Sequence, residues 1–537
     1  MSFFEQPRLR MIYLSLLCIL ITAALFRFYG LNWGKGAALH IDEENVQAVT
    51  WRLAENIAEN GSLNPRFSAY GALLFYLILP LKLLVAPEQL LLASRILAAL
   101  MGLLTVYFVF ILGCRFRNPQ LGLLSAMLCA LTVILWRESH FYTAETPLLL
   151  FVTLALNAGL GILQTLKKRY YFAFAIFLGL AISVKSIAIL LVLPLGCAHL
   201  AYRPDLRSRI KAMGQPSIWA TLLLAGAVFL ALNPYCVLDA TNYWQRKTSA
   251  DLLWNALMVK GSVLPPWTVQ FLSQPKGAFE LYALYPWALG PFLALASLFG
   301  IYLALCSTRA KSYYLLSFIL PYLILTASWQ VKFIRYTTLI IPALCVLAAD
   351  SLLQLKGNIR KTAFIVLVLA SFGYSAAYLN IYRQPDSRYQ AHQYLSEQAQ
   401  GKKVFTEMDE GFLLSKFYQS DQPPYIEKKL DFFYQQHTPH SRQLLIKLML
   451  KEADYLALST NNYERFARLP LKFPTLAGFY HDLFAEKLGF EIVKTFEHQP
   501  QFMGITISDH LSELTFRLFD HPKITVFKKI RNLQAER

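Results

Sequence analysis

A chain of 537 residues in which 56% are hydrophobic and 16% charged is too apolar for a soluble protein, and its apolar runs recur at lengths near a bilayer thickness. The formal charge of +18 does not imply nucleic-acid binding, because many Lys and Arg residues fall in short clusters between apolar runs, as the cytoplasmic loops of a membrane protein require. All seven Cys lie in or beside apolar segments, so no disulfide framework is implied.

The first apolar run, 11–29, follows Arg8 and Arg10 and no small-residue cleavage site succeeds it, which predicts a retained first span with a cytoplasmic N-terminus. It leads into His40-Ile41-Asp42-Glu43-Glu44, which opens an amphipathic helix with Val46, Val49, Leu53 and Ile57 at helical spacing. Three adjacent carboxylates there have two readings. Asp42 is a good N-cap, with Glu43 and Glu44 facing the positive end of the helix dipole. Alternatively, one of them works as a base or ligand at the bilayer edge, where desolvation and nearby cations tune it.

Residues 70–86 are apolar enough to cross, but a crossing would put Asp42 and Glu145 on opposite faces. Pro80 is expected to interrupt a helix there, so the segment is expected to lie along or dip into the outer surface. Further spans are expected over 91–113, 119–136, 146–166, 170–184, 186–202, 217–235, 281–306, 312–328, 333–351 and 362–379, about eleven with the first. Arg115/Arg117, Lys167/Lys168/Arg169, Arg203/Arg207/Arg209/Lys211, Arg309/Lys311 and Lys356/Arg360/Lys361 then fall on the cytoplasmic side. This leaves 30–90, 137–145, the turn at Lys185, 236–280, 329–332 and everything from 380 outside.

The expected division is a membrane domain over 1–379, with its first outer loop at 30–90, and an exported α/β domain over 380–537. In the second part, helix-like 388–398 and 442–452 precede strand-like 403–407 and 454–459, and 491–496 and 524–528 add strand-like runs.

The outer loops share one composition: Asp42, Glu43 and Glu44 in the first, Glu145 and His140 in the second, Lys185 in the third, and Lys332, Arg335 and Tyr336 in a later one. Ionisable groups at span ends are costly enough to be functional candidates, and acids and cations on one side suit an anionic lipid headgroup met by a second substrate. Each has a plainer reading: Glu145 as a helix cap before Thr146-Pro147, Lys185 snorkelling, and Lys332, Arg335 and Tyr336 as an interfacial anchor. His40 and His140 have no His or Cys at ligand spacing, so no zinc site is expected; a divalent-cation requirement is left open.

His-Ile-Asp-Glu after the first span, Ser139-His140-Phe141-Tyr142-Thr143-Ala144-Glu145-Thr146-Pro147, Val184-Lys185-Ser186, and Lys332-Phe333-Ile334-Arg335-Tyr336 followed by Pro342 resemble the bacterial branch of the protein O-mannosyltransferase and aminoarabinose-transferase superfamily. Phe519-Asp520-His521-Pro522-Lys523 extends the likeness into the exported domain. The resemblance implies a GT-C fold and an inverting transfer, on the outer face of the cytoplasmic membrane, from a polyprenyl-phosphate-linked sugar to a hydroxyl of a protein, lipid or glycan. Carried over residue by residue, Asp42 of the Asp42-Glu43 pair would be the catalytic base. Glu145 would take the second loop acid's position, which is often Asp in the family. Lys185, Lys332 and Arg335 would hold the lipid phosphate, with His40, His140 and Tyr336 as candidate substrate contacts. The rival class is a secondary transporter for an anionic solute or lipid-linked saccharide. Transporters usually carry repeats and charges near the midplane, and here the charges sit at span ends.

Overall fold

The computed structural model describes residues 7–530 apart from 202, 204, 273, 276, 408–413, 419–423 and 431–437. The chain divides into two compact units, one made of Met1–Leu31, Asn45–Ser262 and Lys276–Ala376, the other of Asn32–Glu44, Val263–Pro275 and Ala377–Arg537. The second unit therefore includes two short segments that precede residue 380.

The first unit is helical, and it is that of a membrane protein. Among the described residues six helices are long and apolar enough to cross a bilayer, and up to eight if each of two bent pairs is one span. Three shorter apolar helices, Leu73–Leu84, Pro119–Ala130 and Ser186–Leu200, accompany them. Leu14, Leu17, Ile21 and Leu25 of the first helix stand exposed while Leu16, Ile19 and Ala23 are buried, so apolar side chains cover both faces as a lipid-facing helix requires. Close approach uses small residues: a Cβ on Gly113 would lie 2.7 Å from the Cα of Gly122 on the next helix.

Each of the eleven expected spans coincides with helix, with two differences of detail, and a third concerns the excluded segment 70–86. The run 281–306 is not straight: Glu280–Leu289 and Pro291–Leu305 meet at a bend of 110°. Gly290 at the bend has φ +83, a conformation that Gly adopts without cost, and Pro291 then starts the second helix. The run 119–136 breaks after Ala130, and Val133–Glu138 resumes it as a separate helix. Pro80 does not interrupt its segment, because helix Leu73–Leu84 runs through it.

The ends of the helices sort the charges. Helix Glu145–Thr165 starts on Glu145, and near its other end Gln164 donates to the Arg115 carbonyl at 2.7 Å. Twenty-one residues separate those ends by roughly 30 Å. At the Arg115 end, Lys311 donates to the same carbonyl at 2.7 Å, and Arg117 and Arg309 both reach Asp350, at 2.9 and 3.4 Å. Two of the basic loops expected on one side are thus joined there, a helix length from Glu145.

The second unit holds a five-stranded sheet: β1 Lys403–Glu407, β2 Ile426–Leu430, β3 Tyr455–Ser459, β4 Phe490–Phe496 and β5 Ile524–Lys529. The order is β2-β1-β3-β5-β4, parallel through the first three and antiparallel at β3–β5 and β5–β4. Alternation of side chains gives two cores. Phe405, Leu456, Leu458 and Phe527 pack with Met449 and Tyr480 of helices Pro439–Glu452 and Pro474–Phe484. Val404, Ala457, Ile524 and Val526 pack with Ala391 and Leu395 of helix Ser387–Gln398.

A buried polar cluster sits in the same unit. The His521 ring lies between Asp520 Oδ1 at 2.5 Å and Asp509 Oδ2 at 2.8 Å, and the hydroxyls of Tyr382 and Tyr378 donate to those two carboxylates. Burial alone would lower the pKa of His521, but the two carboxylates outweigh it and raise it from 6.5 to about 9. The folded state thus binds a proton more tightly than the unfolded chain. Its stabilisation is complete below about pH 6.5 and is lost as pH rises through about 9. Thermal melts of the detergent-solubilised protein should fall from pH 7 to pH 9.5, and His521→Gln should flatten that fall. Parallel profiles for both proteins would remove His521 from the account.

Candidate active site

The acidic stretch is anchored from within the second unit. Arg388 donates to the Leu39 carbonyl at 3.4 Å and to the Phe519 carbonyl at 2.8 Å, while two of its nitrogens hold Asp386 at 2.7 and 2.9 Å. Lys416 donates to the Ala38 carbonyl at 2.9 Å and to Glu44 at 2.6 Å. Burial lowers the Lys416 pKa against the opposing pull of Glu44. The His40 ring lies on Phe519, centroids 3.8 Å apart, so the first motif and the Phe519–Lys523 motif meet.

These contacts settle which residue starts helix Ile41–Asn60. His40 Nδ1 accepts the Asp42 amide at 3.1 Å, so His40 caps the helix and Asp42 is not the N-cap. Asp42, Glu43 and Glu44 fill the first turn. Glu44 is engaged by Lys416, whereas Asp42 and Glu43 are buried, at 7% and 0% exposure. A helix N-terminus favours negative charge in that turn, which makes two buried acids there tolerable.

In the first unit Glu145 is the centre. It is buried at the first residue of its helix, and its Oε1 accepts from Lys185 Nζ at 2.8 Å with Arg335 Nε at 3.9 Å from the same atom. Aromatic faces enclose the cations. Lys185 Nζ is 5.1 Å from the Tyr336 ring and 5.9 Å from the Tyr70 ring, and the Arg335 guanidinium is 4.3 Å from the Phe333 ring. Tyr336 is itself fixed, its carbonyl accepting the Tyr322 hydroxyl.

Backbone contact aligns the loop that carries Tyr70. Gly71 donates to the Val184 carbonyl at 2.9 Å, and a Cβ at Gly71 would lie 1.9 Å from the Ser183 carbonyl oxygen, so only Gly allows Tyr70 to approach Lys185 this way.

Lys332 stands apart from that pair. It is buried against Glu280, in a short ion pair, and donates to the Ala327 carbonyl at 2.8 Å. Both ring nitrogens of His140 face backbone carbonyls, those of Trp136 and Tyr29, each at 2.9 Å. His140 therefore ties two elements together, and neither nitrogen points away from the backbone. The structure thus brings Glu145, Lys185, Arg335 and Tyr336 together in one unit and sets His40, Asp42 and Glu43 in one helical turn of the other.

Sequence reasoning did not single out Glu280, Tyr70, Arg388 or Lys416. Glu280 carried a usable signal, as a lone acid entering an apolar run. Arg388 and Lys416 lie far from the motifs in sequence and carried none.

Residues 71–234 match the family described as dolichyl-phosphate-mannose-protein mannosyltransferase. The oligosaccharyltransferase AglB of Archaeoglobus fulgidus, in complex with an inhibitory peptide and a dolichol-phosphate, superposes with a TM-score of 0.54 over 90% of this chain and 73% of its own, at 12% identity. This is the GT-C fold. The same archaeal enzyme in its apo form gives 0.53 over 89% and 73%, at 14% identity. ArnT from Cupriavidus metallidurans bound to undecaprenyl phosphate gives 0.50 over 96% and 98%, at 12% identity. At such identities the likeness is one of fold, and it bears out the GT-C resemblance read from the motifs. No curated protein matches the sequence.

Proposed function

We propose that this GT-C protein is an inverting glycosyltransferase that moves a sugar from a polyprenyl-phosphate donor to an acceptor hydroxyl on the outer face of the bacterial cytoplasmic membrane. The observation that carries this reading is the Glu145 cluster, two cations converging on one buried carboxylate at a span end. Its net positive charge and its aromatic walls suit a phosphate that shares the cations with Glu145. The relatives solved with undecaprenyl phosphate and dolichol-phosphate support a lipid phosphate as the anion.

The chemistry follows from the leaving group. A phosphate departs without being protonated, so Lys185 and Arg335 neutralise the charge that develops as the C1–O bond breaks. The acceptor hydroxyl is a poor nucleophile and loses its proton to Asp42 as its oxygen attacks C1 from the opposite face. Attack and departure on opposite faces invert the anomeric centre. In this reading Glu145 positions the two cations, Glu43 supports the negative turn, and Lys332 with Glu280 braces the residues leading to Arg335.

The orientation is part of the proposal, and the separation of Glu145 from the Arg115 end by one helix length supports it. Single cysteines at Gln89 and Asn118, in a protein stripped of native cysteines, should report it in intact cells. A membrane-impermeant thiol reagent is expected to label position 89 and to spare 118; the reverse would place Glu145 on the cytoplasmic side. The transfer itself is tested by purified protein with polyprenyl-phosphate sugars and a membrane extract that supplies acceptor hydroxyls, where release of sugar-free polyprenyl phosphate is expected. Solute uptake into proteoliposomes with the donor intact would support transport instead.

A further inference from the structure

Within the first unit, a cavity of about 460 Å³ lies between residues 64–72 and the segment 233–251. Its volume falls in the range of ligand sites. Its polar wall is built as a ladder: Asn64 Nδ2 donates to Asp239 Oδ2 at 2.8 Å, Asn242 Nδ2 to Asp239 Oδ1 at 2.7 Å, and Gln245 Nε2 to Asn242 Oδ1 at 2.8 Å. Each amide is thereby locked in one orientation. Gln245 Oε1, Asp251 Oδ1 and the Tyr243 hydroxyl, by contrast, make no hydrogen bond among the described residues, and all three side chains line the cavity. The rings of Phe67, Tyr235 and Tyr243 supply apolar faces.

Preset amides and carboxylates beside aromatic faces match a pyranose, whose hydroxyls both donate and accept and whose C–H face is apolar. The charged groups lining the cavity are Arg66, Asp239 and Asp251, which sum to one negative charge and disfavour an anion. The wall is continuous with the cation cluster: Tyr70, between lining residues Ser68 and Ala72, has its ring 5.9 Å from Lys185 Nζ.

We infer that this cavity is a saccharide subsite that takes a neutral, hydroxyl-rich sugar beside the lipid phosphate. The inference deepens the glycosyltransferase reading and rests on it for the source of the sugar, donor or acceptor.

The test is saturation-transfer NMR on the full-length protein in detergent, with methyl hexopyranosides and inorganic phosphate as probes. Glycoside ring protons are expected to receive saturation, about tenfold less in Asn242→Ala and in Tyr243→Ala. Asn242 is exposed, so its variant keeps the test open if Tyr243→Ala does not fold. No glycoside contact, a contact that survives both cavity variants, or its displacement by phosphate would overturn the inference. Kinetics of Asn242→Ala separate the sources. A raised KM for acceptor alone assigns the cavity to the acceptor glycan, and weaker binding of sugar-loaded but not sugar-free polyprenyl phosphate assigns it to the donor sugar. Glycoside binding needs no turnover, so a protein that binds glycosides yet transfers nothing would refute the transferase reading alone, and an active enzyme with no glycoside contact would refute the subsite alone.

Discussion

Asp42→Asn is expected to lower sugar transfer by about 10²- to 10⁴-fold, the contribution of a positioned general base. The substitution is nearly isosteric, and the groups that fix the turn are elsewhere: His40 caps the helix through the Asp42 amide, which Asn keeps, and Arg388 and Lys416 hold the carbonyls of Leu39 and Ala38. Expression and melting temperature should therefore stay close to wild type while turnover falls. Glu44 offers a control, because it lies in the same turn but is paired with Lys416, so Glu44→Gln should cost some stability and little turnover. Asp42→Asn within a few-fold of wild type would remove Asp42 as the base.

The second large effect is expected at Arg335 and Lys185. Alanine at either position removes a charge-assisted contact in a partly dry site and should weaken donor binding by about 10- to 100-fold, read as a raised KM for the polyprenyl-phosphate sugar. The loss should not depend on polyprenyl length, since the proposed contact is to the phosphate. Glu145→Gln should reduce transfer less than Asp42→Asn does, because it loosens two cations without removing the base. A normal donor KM in both cation variants would return the cluster to an interfacial anchor.

Much of this architecture was legible because membrane spans and α/β domains write strong patterns. Apolar runs marked the eleven helical stretches, and β1, β3, β4 and β5 were legible within a residue or two, since hydrophobic strands between helices leave a clear signal. What failed to show has physical reasons. Strand β2, Ile-Glu-Lys-Lys-Leu, is an edge strand whose charges guard against pairing with another chain and hide it from a hydrophobic scan. The 110° bend at Gly290 is a backbone choice, invisible in a hydropathy profile that stays apolar across it. Pro80 was misleading because helix Leu73–Leu84 tolerates it. In the candidate site, Glu145, Lys185 and Arg335 were legible as ionisable groups at span ends, where burial is costly. Their convergence on one carboxylate oxygen was not, since it depends on three separate turns. The capping of the acidic turn by His40 depends likewise on Phe519, which fixes the ring from the far end of the sequence.

The transfer itself is tested most directly by mass spectrometry of polyprenyl-phosphate sugars and of glycans from cells that lack the protein, complemented with the wild type or with Asp42→Asn. The account predicts that one polyprenyl-phosphate-linked sugar accumulates in the null while one glycoconjugate loses the matching mass, and that the wild type reverses both changes and Asp42→Asn neither. An unchanged pool of lipid-linked sugars in the null, or full restoration by Asp42→Asn, would contradict it.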